Sequence, residues 1–81
     1  MDLNSKTLKR LGFKPKSKNY NELEVHVEVV KREYISISIL KTGESWSFSG
    51  LEIEGERADE IRKEEFQTYS MQEILDFLNK F

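Results

Sequence analysis

The chain has 81 residues, no cysteine, 35% charged side chains and a net charge of −2. That length sets a single small domain, residues 1–81, near the lower limit of what folds unaided, and the missing cysteines exclude disulfides and thiolate zinc sites. The charge is segregated: residues 1–20 hold six basic side chains against Asp2 alone, and the remainder holds seven basic against fourteen acidic.

Such asymmetry bears on partners rather than on fold. No segment approaches the roughly 18 apolar residues that span a membrane, and MDLNSKTLKRLGF lacks the apolar run of a signal peptide. The expectation is a cytoplasmic protein with no membrane partner.

Taken in chain order, the first element is a two-turn helix. Asn4 is a good N-cap, Leu3 and Leu8 stand at the positions of a hydrophobic staple, and Gly12 supplies the left-handed residue that stops the helix. KPKSKNYN, with the single proline Pro15, reads as a connector loop. ELEVHVEVV then alternates with period two, Val25, Val27 and Val29 against Glu24, His26 and Glu28. The following strand sets Ile35, Ile37 and Ile39 on its apolar face. A three-residue loop through Lys31-Arg32-Glu33 opposes Val29 to Ile35, Val27 to Ile37 and Val25 to Ile39. A two-residue turn mixes the faces unless a bulge at Val29-Val30 restores the parity.

With Thr42-Gly43 at the next turn, Ile39 faces Trp46, Ile37 faces Phe48, Ser38 meets Ser47 and Ser36 meets Ser49. The phase then changes, because Leu51 and Ile53 are odd-numbered, and an extra residue at Ser49-Gly50 restores the apolar face. Residues 55–66 read either as a loop or as one weak helical turn, and FQTY as a short edge strand. The last element is the clearest: Ser70 and Glu73 form a capping box, and Met71, Ile74, Leu75, Leu78 and Phe81 recur at helical spacing. The fold class is α+β: a short N-terminal helix, an antiparallel meander of three to four strands, and a C-terminal helix on one sheet face.

Catalytic signatures are missing. There is no phosphate loop, dinucleotide fingerprint, nucleophile elbow or zinc signature, and one histidine cannot build a Ser-His-Asp site of the usual kind. The expectation is no enzyme and no cofactor. Glu24, His26 and Glu28 share a strand face at about 6.6 Å spacing. Side chains in line along one strand converge poorly, so the row is expected to hold no metal.

Three surfaces remain. The polar sheet face carries Glu24, His26, Glu28, Ser36, Ser38, Ser45, Ser47 and Ser49, small-sided and short of long charged residues; it is the candidate partner-binding surface. Its projected area, roughly 230 Å² for three strands of five residues, is small beside the ~800 Å² per partner of a standard interface. A partner must therefore also reach Val30, Tyr34, Leu40 or the loops. The acidic tract LEIEGERADEIRKEEF can imitate a polyanion toward a basic partner. The basic segment, through Lys14, Lys16 and Lys18, can contact phosphates of a nucleic acid or nucleotide, although few aromatics flank it for stacking. Each surface also has a plain reading as solvated exterior.

LKRLGF near the N-terminus, a meander holding one tryptophan, and TYSMQEILDFL as a capped closing helix resemble short accessory proteins of bacteriophages and mobile elements. The resemblance spans most of the chain and carries over no functional residues. It implies a small protein acting by stoichiometric binding, such as occlusion of a host protein by an inhibitor of a bacterial defence system. The expected partner is a host or cellular protein, with a second copy of the chain and nucleic acid as the other candidates.

Overall fold

The computed structural model describes residues 4–16 and 18–81. The first helix, α1 (Ser5–Arg10), begins where the Asn4 side-chain oxygen accepts from the Thr7 amide at 2.9 Å. It ends as a Schellman motif: the Phe13 amide donates to the Leu8 carbonyl and the Gly12 amide to Lys9, with Gly12 at φ +101°. Leu8 and Phe13, which flank that motif, are both buried, so the short helix is held by its own stop. The Leu3–Leu8 staple lies outside the described residues.

KPK is not loop. It forms an edge strand, β1 (Lys14–Lys16), antiparallel to β2 (Asn19–Val30), with Lys14 opposite Glu24 and Pro15 opposite Leu23. An edge tolerates proline because one side of the strand needs no amide donors. With β3 (Glu33–Thr42) and β4 (Ser45–Glu54), the strands form one antiparallel meander in chain order.

Parity along the strands is as expected, but both hairpin registers differ. Lys31-Arg32 forms a two-residue turn with Arg32 at φ +65°, and an irregularity between Glu28 and Val30 absorbs Val29. Val27 therefore opposes Ile35 and Val25 opposes Ile37, the outcome of the bulge rather than of a three-residue loop. In the next hairpin the turn is Gly43-Glu44, closed by Thr42 and Ser45. The positive φ of +64° falls on Gly43 as the first central residue, which suits a two-residue hairpin turn. Ile39 thus faces Phe48, not Trp46, whose neighbour is Lys41. The expected extra residue is Ser49: beyond it Ile37 opposes Leu51 and Ile35 opposes Ile53.

Residues 55–66 are mostly helix, α2 (Glu56–Glu65). Its N-cap, Gly55, has no side chain to offer, and the Glu33 carboxylate at the start of β3 takes over. One Glu33 oxygen accepts from the Arg57 amide at 2.6 Å and the Ala58 amide at 3.1 Å. FQTY forms no strand. Phe66 is buried at the helix end, and Tyr69, at φ +54°, sets its ring 5.2 Å from that of Phe48. The Arg62 guanidinium donates to the Tyr69 hydroxyl.

Helix α3 (Met71–Lys80) starts as expected, with the Ser70 hydroxyl accepting from the Glu73 amide at 3.3 Å. The Glu73 carboxylate reaches back beyond the cap, accepting from the Gln67 and Thr68 amides at 3.0 and 2.8 Å. Ile74, Phe77 and Leu78 join Leu8, Ala58, Phe66 and the inward residues of the sheet in one buried cluster. The helices thus cover the Val-Ile face. The opposite face stays open.

Candidate functional site

The open face is set by alternation along three long strands, so its composition follows from the register. Across the sheet, Glu24 lies beside Ser38 and Gly50, His26 beside Ser36 and Glu52, and Glu28 beside Tyr34 and Glu54. Glu22, Leu40 and Ser47 form the next row, and Thr42 and Ser45 the last. The structure therefore brings Glu24, His26, Glu28, Ser36 and Ser38 together, with Ser45 and Ser47 toward one end. Ser49 is the bulged residue and has no partner in β3.

Two expectations about this face are corrected. The serines do not meet: Ser38 lies opposite Gly50, Ser36 opposite Glu52 and Ser47 opposite Leu40, because the turn and the bulge shift β4. Nor is the face short of long charged side chains. It carries Glu22, Glu24, Glu28, Glu52 and Glu54, with Lys14 and Lys16 at the β1 edge. Glu52 and Glu54 were legible only through the phase change after Gly50, which turns Leu51 and Ile53 inward and these two outward.

Ser38 is 8% exposed although it lies on the open side. Lys16 reaches across, its ammonium 3.5 Å from the Ser38 hydroxyl and 3.6 Å from a Glu22 carboxylate oxygen. At the other end His26 Nδ1 and the Ser36 hydroxyl are 2.5 Å apart, and the imidazole stacks on Tyr34 with ring centres 4.7 Å apart. A hydrogen bond to the Glu28 carboxylate, with that group's charge, raises the Tyr34 phenol above its ordinary value; slight burial and the charge of Glu54 act the same way. A shallow depression of about 250 Å³ lies here, among His26, Tyr34, Ser36, Glu52 and Glu54.

This arrangement is rich in hydrogen-bond acceptors and in negative charge. Among the described residues, no three His, Cys, Asp or Glu side chains lie close enough to hold a metal ion. The geometry suits a surface that receives donors from a partner: ammonium, guanidinium or amide groups.

The three lysines Lys14, Lys16 and Lys18 stand in different surroundings. Lys14 stands on the β1 edge across from Glu24, Lys16 is held by Glu22 and Ser38, and Lys18 lies in the exposed turn before β2. Among the described residues no helix is long and apolar enough to cross a membrane. Compared with family models, curated proteins and solved structures, the chain matches none.

Proposed function

We propose that this is a non-enzymatic binding protein of the cytoplasm that occludes a protein partner through its open, acidic sheet face. The observation that carries the reading is the extent of that face. Its rows run over seven residues of β2–β4, so with the β1 edge it measures about 23 Å by 17 Å, roughly 400 Å² in projection. Doubled for side-chain relief, this approaches the ~800 Å² per partner of a standard interface. Tyr34 and Leu40, the latter 37% exposed, put apolar area inside the polar field, as interface centres require.

Charge selects the partner. Five carboxylates against two lysines favour a basic protein surface, and they oppose a second copy, which would set carboxylate against carboxylate. Stoichiometric occlusion is also what the resemblance to phage and mobile-element accessory proteins implies, a host defence protein being the corresponding target. The rival reading, phosphate binding through Lys14, Lys16 and Lys18, has less support from the geometry, because the Lys16 ammonium is already engaged.

The test is differential capture from a host lysate. Glu24→Lys, Glu28→Lys and Glu52→Lys together are expected to lose the proteins retained by the unaltered chain. Glu60→Lys with Glu64→Lys on α2 is expected to keep them. Capture that survives the first set and fails with the second refutes the assignment. Binding to an oligonucleotide that is lost when Lys14, Lys16 and Lys18 are neutralised favours the rival.

A further inference from the structure

Beyond the β1 edge of the open face, α1, β1 and the start of β2 enclose a groove of about 530 Å³. That volume lies within the ~300–1,000 Å³ of sites that hold small organic molecules. Phe13, Leu23 and Pro15 supply apolar wall, and Trp46, 9% exposed, also lines it. Tyr20 stands at the same groove and is 78% exposed, the most exposed large apolar side chain among the described residues. The rings of Phe13 and Trp46 line the same groove.

The charged members of the lining are all of one sign. Lys9 and Lys14 contribute to it and no carboxylate does. Neither lysine forms an ion pair among the described residues, whereas Lys16, two positions along, is paired with Glu22. A third cation is close by: the Lys41 ammonium lies 6.0 Å from the centre of the Trp46 ring, at cation–π range. In a chain of net negative charge, the charged side chains that line this groove are thus cations alone.

We infer that this groove is a binding site for a small ring-bearing anion. The flat apolar part lies against Trp46, Phe13 and Leu23 with Tyr20 closing over it, and the carboxylate, sulfonate or phosphate is turned toward Lys9 and Lys14. The apolar body supplies most of the affinity, and the two ammonium groups select against the neutral analogue. The site adjoins the acidic sheet face at the β1 edge and shares Lys14 with it, whereas Trp46, Phe13 and Leu23 belong to the groove alone.

Trp46 is the chain's single tryptophan, so its fluorescence reports the occupied groove without labelling. The probes are 8-anilinonaphthalene-1-sulfonate and N-phenyl-1-naphthylamine, which share the aromatic body and differ by the sulfonate. The expected result is one-to-one quenching of Trp46 by energy transfer to the bound dye, with the anionic dye bound about tenfold tighter, equivalent to ~1.4 kcal/mol. Lys9→Gln with Lys14→Gln is expected to abolish that preference and leave the neutral dye's affinity unchanged. Tyr20→Ser is expected to weaken both dyes alike. Lys31→Gln, in the remote turn between β2 and β3, keeps the preference. Both lysines are exposed, so an unchanged melting curve shows that the double variant is folded. Equal affinity for the two dyes in the unaltered chain, a preference that survives the double substitution, or no energy transfer from Trp46 overturns the inference.

Discussion

Removing the Glu33 side chain is expected to unravel α2 selectively, although 22 residues lie between Glu33 and the first residue of that helix. The helix has little of its own to hold it: Ala58 is its one fully buried residue, and its N-cap is glycine. The Glu33 carboxylate accepts from the Arg57 and Ala58 amides at 2.6 and 3.1 Å. Loss of a side-chain cap costs about 0.5–2 kcal/mol, and loss of a negative charge at a helix N-terminus about 0.3–1 kcal/mol more. For Glu33→Ala the two together come to about 0.8–3 kcal/mol, or roughly 3–24 °C in the melting temperature of a domain this size. Glu33→Gln keeps an acceptor and is expected to lose about half as much. Thermal denaturation followed by circular dichroism measures the total. Hydrogen exchange locates it, with the α2 amides accelerating by roughly tenfold or more and the central amides of β3 following only the global change. An unchanged melt for Glu33→Ala, or uniform acceleration with no excess in α2, refutes the cap.

Leu78→Ala removes a buried side chain of the closing helix and is expected to cost about 2–5 kcal/mol by denaturant unfolding. Burial pushes the Glu73 carboxyl up, but the amides of Gln67 and Thr68 outweigh it and hold the group below its usual range. Because the folded value is depressed, its stabilisation is present above the ordinary carboxylate value and is lost as pH falls through the depressed one. Glu73→Gln should therefore melt lower than the unaltered chain at neutral pH, and the difference should narrow as the solution is acidified. Glu28→Gln removes the main cause of the raised Tyr34 phenol, so ring-carbon NMR titration should find that group moved down toward its ordinary value.

The parts legible in the sequence were those with local signals. Ser70 and Glu73 announce α3, Asn4 and Gly12 bound α1, and alternation of Val and Ile assigns the two faces of β2 and β3. Register was not legible, because it depends on which turn residue takes positive φ and on where a bulge absorbs a residue. Arg32 and Gly43 decide the first and Val29 and Ser49 the second. β1 gives no local signal, because a three-residue edge strand with one apolar residue, Pro15, has the composition of a loop. α2 is ambiguous in the sequence because its cap comes from Glu33 and its apolar stripe is little more than Ala58 and Ile61. The same distinction holds for the candidate site. Glu24, His26 and Glu28 were placed together by period alone, whereas the burial of Ser38 beneath Lys16 depends on a strand that did not look like one.

That burial bears on how the partner surface is probed. An arginine at Ser38 would displace Lys16 and disturb the sheet, so carboxylates that project into solvent are the better reporters. The proposed contact is between a protein partner and the acidic open face. Its most direct test is carbodiimide footprinting of carboxylates on the chain, free and in complex with a captured partner, read by mass spectrometry. The expected result is protection of Glu24, Glu28, Glu52 and Glu54, with Glu60 and Glu64 on α2 labelled as in the free chain. Protection confined to α2, or equal labelling of the open face in both states, would contradict it.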